Sequence, residues 1–292
     1  MLSTLGEEAK GAFERGLQWS LSLEPELLGP DSRMMVLSGL LLVDPPRVPA
    51  VRKAFAPPEG PNPNPVEFLF SAVEADPFPL TWDEPDPFQR YVPDDLPQTL
   101  YDRHGIKGVM AHGGLAQGTM GKLEEPVLSW LRQDLWGYNL THQLLAWVLC
   151  LKRGHRVEEA RDRVLRLGAR LGHELDHSQF EVFYDLIVES TTFLALAGYP
   201  LERLAGRFRT ILATQEADGG WWSIQDRAEF AQLIETAHQG SSPLARPPRH
   251  YSEEADPERA HYSLVTLHRA HSSGLSVWAL SILLHHLGAQ PT

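Results

Sequence analysis

Two kinds of hydrophobic pattern alternate along the chain, and both repeat with the period of an α-helix. The first kind carries one apolar stripe: in residues 6–23, the side chains of Ala9, Phe13 and Leu17 fall on one face. The second kind is apolar on almost every face, as in residues 34–43. Because a helix with one stripe lies at the surface and a helix apolar all round is enclosed, this pair predicts an outer helix followed by an inner one.

The outer-then-inner pair occurs four times, and the alternation typical of strands is scarce. The three later pairs are residues 125–133 with 139–152, 157–171 with 180–198, and 200–215 with 271–284. A repeat on this scale is typical of stacked helical hairpins. The sequence therefore predicts an all-α fold that forms a single domain over residues 1–292.

Two stretches interrupt the repeat. Residues 45–97 hold 14 of the 23 prolines, and because proline lacks an amide donor and restricts φ, we expect irregular chain there. The aromatic and leucine residues among these prolines favour an ordered loop that wraps the helices, or a lid. A second insertion, residues 223–260, combines a short helical segment with a polar loop.

A short motif lies directly after the fourth outer helix, where residues 215–222 read QEADGGWW. Gln215, Gly219 and Trp221 resemble the Q-x-x-x-G-x-W repeat of squalene–hopene-type cyclases, and residues 131–139 resemble a degenerate copy. The complete motif occurs once. The resemblance extends to the superfamily of terpenoid cyclases and protein prenyltransferases. It implies an α/α toroid, an incomplete barrel in which inner helices surround a central cavity and the tryptophan turn braces the outer helices.

The catalytic motifs of that superfamily are mostly missing. Class II cyclases use an Asp-x-Asp-Asp acid, and the nearest string, residues 92–95, lacks the first aspartate. Prenyltransferases bind zinc through Asp, Cys and His, but the only cysteine, Cys150, lies in the middle of an inner helix, where we expect it in the core. Neither activity transfers to this chain, since a fold alone does not define function. A metal-free enzyme of terpenoid cyclase or prenyltransferase type remains one alternative.

Polar side chains on the otherwise apolar inner helices are the best candidates for chemistry, because buried charges must be paired, metal-bound or in contact with water. In a toroid these helices would converge on one cavity. Two or three histidines with a carboxylate suit Fe or Zn with open positions for a substrate. The predicted ligands of one divalent metal ion are His142, Glu189, His268 and His271.

A metal-free centre uses some of the same residues. Asp185 or Glu189 would act as general acid or base, with His142 orienting it. An apolar cavity would raise the pKa of the carboxylate, which suits a proton donor. Tyr138 lies on the same helix as His142, and His112 belongs to a glycine-rich loop that we expect at the cavity mouth. Both join Asp185 as predicted catalytic residues.

Two further alternatives belong to other classes of protein. Residues 173–177 read HELDH and match H-E-x-x-H, the zinc helix of metallohydrolases. A capping-box pattern at Ser178–Glu181 places a helix boundary at Ser178, which would leave His177 outside the helix. The segment lies at the end of an outer helix, where we expect it to be away from the cavity. The other alternative is a non-catalytic helical scaffold whose own side chains fill its centre.

The composition of the chain limits the classes of partner that we expect it to bind. The formal net charge of −12 argues against a general nucleic-acid binder, which needs clustered lysine and arginine. No apolar run is long enough for a membrane span, the first residues do not resemble a secretory signal, and a single cysteine excludes an internal disulfide. We therefore expect a cytoplasmic enzyme that acts on an apolar small molecule or a peptide.

Overall fold

The computed structural model describes residues 2–24, 27–55, 80–83, 125–133, 135, 137–177, 184–222 and 257–288. Within these ranges there are nine α-helices, one short 3-10 helix (Pro45–Arg47) and no strand, so the predicted all-α class is confirmed. None of these helices is both long and apolar enough to cross a membrane. The helices are α1 (Leu2–Ser22), α2 (Pro30–Val43), α3 (Val48–Ala54), α4 (Glu125–Leu131), α5 (Gly137–Lys152), α6 (Val157–His177), α7 (Tyr184–Leu196), α8 (Leu201–Ala213) and α9 (Pro257–His286).

The burial of the helices follows the two hydrophobic patterns. The predicted inner helices α5 and α7 are buried along nearly their whole length, as are most of α2 and the second half of α9. The predicted outer helices bury one stripe each, because their other faces carry charged residues. The fully buried stripe residues include Ala9, Phe13 and Leu17 on α1, Ala160, Val164 and Leu167 on α6, and Leu204, Phe208 and Ile211 on α8.

The inner helices α2 and α9 run parallel. A methyl group added to Gly274 of α9 would lie 3.1 Å from Cα of Ser32 in α2, and one on Gly39 of α2 would lie 2.9 Å from Oγ of Ser281. Both helices advance by seven residues between these contacts (39 − 32 and 281 − 274), so they share one direction. The small residues allow the backbones to approach closely, and α2 with α9 is the most extensive helix pair described.

The inner helices follow one another in space in the order α5, α7, α9, α2. The α7–α9 contact includes a 3.1 Å hydrogen bond between the hydroxyls of Tyr184 and Ser276. Helix α1 packs on α9 in the opposite direction, since Gly6 lies near Leu287 and Gly16 lies near Val277. In this hairpin the outer helix α1 and the inner helix α2 therefore run in opposite directions.

Polar links join the outer helices in the matching order α4, α6, α8, α1. Each link uses an arginine, whose planar group can donate several hydrogen bonds at once. The links are Arg132 with Glu159 (2.7 Å), Arg207 with the carbonyl of Gly172 (2.6 Å), and Arg15 with Oε1 of Gln215 (2.6 Å). The last link connects the final outer helix to the first.

The tryptophan turn lies at this junction between the first and last hairpins. The side-chain amide of Gln215 donates to the carbonyl of Ala12 on α1 (2.8 Å) and to that of Gly219 (2.9 Å). Gly219 has φ +95°, and a Cβ there would lie 2.6 Å from the carbonyl oxygen of Arg15. Only glycine fits this position without strain. The turn thus holds α1 against α8.

Trp221 fills the space beneath the turn. Its ring is fully buried, its indole N–H donates to the carbonyl of Ile211 (2.7 Å), and its backbone N–H donates to Oγ of Ser273 on α9 (2.9 Å). A Cβ on Gly16 would lie 2.6 Å from the ring, so α1 requires glycine at this point. One residue therefore contacts α1, α8 and α9.

The two predicted insertions contain more helix than expected. Residues 45–54 form the 3-10 helix and α3, because proline is tolerated in the first turn of a helix; the expectation of irregular chain is wrong there. Residues 257–260 belong to α9 and not to the second insertion, which makes α9 a helix of 30 residues. Most of residues 56–124 and all of 223–256 lie outside the described residues, and the domain assignment stays a prediction.

One described piece of the proline-rich stretch, residues 80–83, packs on the outer helices. The indole N–H of Trp82 donates to the carbonyl of Gly198 (2.9 Å), and its ring meets the ring of Tyr199 edge to face at 5.0 Å. A Cβ on Gly168 of α6 would lie 2.5 Å from this ring. This part of the stretch therefore contacts α6 and the segment that follows α7, and the predicted wrapping loop or lid stays a prediction.

Candidate functional site

The inner helices reach solvent at only a few described positions, and most of these are polar. On α5, from Gly137 to Leu151, only Tyr138 and His142 are partly exposed. On α7 only Asp185 and Ile187 are, and between Ala270 and Leu284 of α9 only His271 is. Partly exposed polar side chains therefore occur on three helices that are otherwise buried.

A His–carboxylate pair joins α5 to α7. Nδ1 of His142 lies 3.2 Å from Oε1 of Glu189, and the hydroxyl of Thr141 donates to the same oxygen. Nδ1 of His142 also lies 2.7 Å from the carbonyl oxygen of Tyr138, so this nitrogen carries a hydrogen. The side chain of Glu189 is 5 % exposed, against 16 % for His142, so the histidine is the member that a ligand can reach.

The two partners hold each other in the charged form. Burial alone would lower the pKa of His142, but the charge of Glu189 and the hydrogen bonds to Glu189 and to the Tyr138 carbonyl raise that pKa. Burial would raise the pKa of Glu189, but His142 and the Thr141 hydroxyl lower it. Glu189 is thus ionised near neutral pH, and His142 tends to carry its proton.

Asp185 behaves differently, although it lies one helical turn before Glu189 on the same face of α7. Burial raises the pKa of Asp185 to about 6, and the negative charge of Glu189 adds to that rise. A hydrogen bond from Tyr138 and the charge of His271 oppose it. The backbone N–H of Leu186 donates to Oδ1 of Asp185 at 3.0 Å. Asp185 therefore exchanges a proton close to neutral pH.

Helices α2 and α9 contribute charge from the other side. A protonated His271 lies close enough to lower the pKa of both Asp185 and Glu189. Asp31, in the first turn of α2, lies close enough to raise the pKa of His142. Asp31, Tyr138 and Asp185 all occupy the first turn of their helices, so the amino-terminal ends of α5 and α7 lie at this site and the charge at the start of α2 acts on it from a distance.

The structure brings together five of the seven predicted site residues: Tyr138, His142, Asp185, Glu189 and His271. The side chain of His268, a predicted metal ligand on α9, lies outside the described part of the chain, and so does the whole of His112. The predicted roles of these two histidines stay predictions.

The alternative H-E-x-x-H site lies in α6, at the end of an outer helix as predicted. The expectation that His177 lies outside the helix is wrong, because α6 runs from Val157 to His177 and includes both histidines of the motif. The side chains of residues 174–177 are outside the description, so their use as metal ligands stays a prediction.

The metal site predicted on the inner helices has no complete ligand set in the part of the chain that the structure describes. Among those residues, no three His, Cys, Asp or Glu side chains are grouped as ligands of one ion. Nδ1 of His142 donates to a carbonyl, so a metal ion would have to take Nε2 after the proton had left. Cys150 is fully buried, and burial raises the pKa of its thiol to about 12, as suits the predicted core residue.

Sequence reasoning missed Thr141 and Asp31. A threonine inside a helix usually bonds a carbonyl of its own helix, and Thr141 does lie 2.9 Å from the carbonyl of Tyr138. Its position next to His142 on an inner helix is the signal that marks it. Asp31 has the pattern of an ordinary acidic residue in the first turn of a helix, and only the packing of α2 brings it near His142.

Comparison of the chain with models of protein families, with curated proteins and with solved structures finds no match. The function must therefore be argued from the site itself.

Proposed function

We propose that this chain is an enzyme of the α/α-toroid type, in which Asp185 is the general acid–base residue of a metal-free centre. The toroid is supported by inner helices that follow one another in the order α5, α7, α9, α2, with α9 and α2 parallel, and by outer helices linked in the corresponding order. The tryptophan turn joins the last outer helix to the first, as the resemblance to squalene–hopene-type cyclases implies for outer helices.

One observation carries the chemical assignment: two carboxylates one turn apart on α7 have pKa values displaced in opposite directions. Burial raises the pKa of Asp185 to about 6, whereas His142 and Thr141 overcome burial at Glu189 and lower its pKa. Such divergence separates a residue that exchanges protons from one that stays charged. Asp185 is the proton carrier, and Glu189 holds His142 in place.

The proposed proton transfer is simple. Protonated Asp185 gives its hydrogen to a substrate atom, and the hydrogen bond from Tyr138 stabilises the carboxylate that forms. The proton returns from product or water to complete the cycle. His142, charged and partly exposed, provides a positive hydrogen-bond donor for negative charge that develops on the substrate.

The aromatic side chains packed beside His142 support the proposed class of substrate. The ring of Phe193 lies edge to face against His142 with centroids 6.3 Å apart, and Trp278 packs behind Phe193 at 6.0 Å. Apolar side chains packed beside a few convergent polar groups suit a largely apolar small molecule or a hydrophobic peptide.

Asp185→Asn is expected to abolish turnover, because asparagine keeps the size of the side chain and removes the exchangeable proton. We suggest incubating the purified chain with squalene-type polyenes, prenyl diphosphates, and apolar esters and peptides, with product detection by mass spectrometry. On any substrate that the wild type converts, Asp185→Asn should lower kcat about 10²- to 10⁴-fold. If Asp185 is the acid, kcat/KM of the wild type should fall as pH rises through about 6.

Asp162→Asn is the matched control, since Asp162 is an exposed aspartate on the outer helix α6 and should keep full activity. Wild-type activity in Asp185→Asn would contradict the assignment, and so would a panel in which no substrate is bound or converted.

The metal form of this centre, with Fe or Zn, is a second prediction with its own test. The protein would be reconstituted with each metal, desalted and analysed for metal content. Binding at the inner helices predicts close to one equivalent in the wild type and a loss in both His142→Ala and His271→Ala. Less than about a tenth of an equivalent in the wild type would exclude tight metal binding, since a structural or catalytic ion is retained through desalting.

A further inference from the structure

Two glycines form a notch in the outer helix α6. Gly168 and Gly172 lie one turn apart on the same face of this helix, and both are buried. A methyl group added to Gly168 would lie 2.5 Å from the ring of Trp82, and one added to Gly172 would lie 2.8 Å from the hydroxyl of Tyr199. Glycine inside a helix is less favourable than alanine. The two aromatic rings are the physical reason for glycine at both positions.

The other walls of this notch come from the start of α8 and the residues just before it. The ring of Tyr199 meets the ring of Trp82 edge to face at 5.0 Å, and the carbonyl of Gly198 accepts the indole N–H at 2.9 Å. The guanidinium of Arg203 lies over the same Tyr199 ring, 5.7 Å from its centroid. We call the surface formed by these residues the Trp82 socket: Gly168, Gly172, Gly198, Tyr199 and Arg203.

The walls of the Trp82 socket are held by contacts that do not involve Trp82. Nη2 of Arg207 on α8 donates to the carbonyl of Gly172 on α6 at 2.6 Å. Tyr199 is buried, and its backbone N–H donates to the carbonyl of Leu194 at 3.0 Å, which fixes the chain after α7. Because none of these contacts needs the indole, we expect the socket to keep its shape when the indole is removed.

The segment in the socket, residues 80–83, alternates in exposure. Leu80 and Trp82 are partly buried and pack on the core, whereas Thr81 and Asp83 are exposed. Side chains two positions apart point to the same side of an extended chain. Nη1 of Arg203 donates to the backbone carbonyl of Asp83 at 3.0 Å, a contact that any residue at this position can make. The socket therefore recognises an aliphatic residue and a tryptophan two positions later.

We propose that the Trp82 socket is a docking site for an extended segment of a partner protein that carries this aliphatic-x-tryptophan pattern, and that residues 80–83 occupy it in cis. The chemistry of the resident segment identifies that of the partner, which must displace it. A tryptophan ring in a preformed pocket, with its N–H bonded, is a typical anchor of a protein–protein interface. The socket shares no residue with the Asp185 centre, so this binding function is separate from the proposed enzyme activity.

Trp82→Ala in the full chain tests the docking site, because it removes the resident ring. Trp82 is only half-buried, so we expect the variant to fold, which circular dichroism would check. A fluorescein-labelled peptide of residues 78–85 (FPLTWDEP) would be titrated with each protein and followed by anisotropy. We expect saturable binding to Trp82→Ala. Binding to the wild type should be at least about ten-fold weaker, since a tethered competitor acts at roughly millimolar effective concentration. The same peptide with alanine in place of tryptophan should not bind.

Gly168→Ala and Gly206→Ala, each added to Trp82→Ala, locate the binding on the molecule. The methyl group of Gly168→Ala occupies space that the peptide ring needs, so it should abolish binding. Gly206→Ala on the exposed face of α8 is the matched control, because a methyl group there meets no atom within 4 Å and should leave binding unchanged. A folded Trp82→Ala protein that does not bind the peptide would overturn the inference, and so would equal binding with and without Gly168→Ala.

A second measurement covers the case in which Trp82→Ala does not fold. The chain would be labelled with 5-fluorotryptophan, and the fluorine resonance of Trp82 identified by its absence in Trp82→Phe. The single substitution Gly168→Ala should move this resonance toward the position of a solvent-exposed tryptophan, and excess peptide should do the same in the wild type. Gly206→Ala should leave it in place. A Trp82 resonance that neither Gly168→Ala nor the peptide moves would contradict the docking site.

Discussion

Trp221→Ala is expected to lower the free energy of unfolding by about 3–5 kcal/mol, the range for truncation of a large buried aromatic residue. The substitution removes a fully buried ring and its 2.7 Å hydrogen bond to Ile211. It also opens a cavity at the junction of the first and last hairpins, where α1, α8 and α9 meet. Urea unfolding followed by circular dichroism would measure the loss.

Trp222→Ala is the control for this prediction, since the neighbouring tryptophan is only half-buried and stacks on Arg269 at 4.8 Å. Loss of one cation–π contact at a partly exposed site should cost about 1 kcal/mol. Equal effects of the two substitutions would show that the turn does not act as the brace we describe.

Asp185→Asn is expected to stabilise the protein at pH 8, by at most roughly 3 kcal/mol. Burial raises the pKa of Asp185 from 3.8 to about 6, so folding favours the neutral form of this group. Its contribution to stability is complete below 3.8 and is lost as pH rises through about 6. Asparagine stays neutral at every pH and keeps an oxygen for the hydrogen bond from Tyr138.

The pH dependence makes this prediction specific. Unfolding free energies of wild type and Asp185→Asn, measured at pH 4.5, 6 and 8, should diverge with rising pH and level off above about 7. Asp162→Asn, on the exposed face of α6, should change stability by less than about 0.5 kcal/mol at each pH. A loss of stability in Asp185→Asn at pH 8 would indicate that the carboxylate is a structural partner.

Stability and activity should thus change in opposite directions at Asp185. Replacing a residue that serves packing is expected to lower the stability of the fold. Replacing a residue that serves chemistry can raise that stability. The two measurements on one variant therefore distinguish the proposed enzyme from the helical scaffold that we also considered.

The helices were predictable because the apolar residues that recur with the helical period in the sequence are the residues that are buried in the structure. The stripe of α8 on Leu204, Phe208 and Ile211 is buried as the spacing predicts, and α7 ends before Gly198, which adopts φ +78°. Helix boundaries were less predictable: α3 begins with proline-rich sequence, and α9 extends to Pro257, ahead of its buried half. Burial of the later part of a helix does not reveal how far its earlier, more polar turns extend.

The candidate site was predictable in part for a similar reason. His142, Asp185 and Glu189 stand out because they are ionisable side chains on helices that are otherwise apolar. Their pairing depends on which helices are neighbours, and the hairpin repeat alone does not determine that order. The hydrogen bond from Thr141 to Glu189 depends on the packing of α5 against α7, which the pattern of neither helix predicts.

The packing of α2 against α9 has a consequence for how this chain matures. All-α chains often fold quickly because their contacts are local. Here the largest helix pair joins segments that lie about 240 residues apart, and a ribosome adding about 5–20 residues per second needs about 12–48 s to deliver the second segment. During that time the nascent chain lacks the helix that covers the apolar surface of α2 in the folded protein.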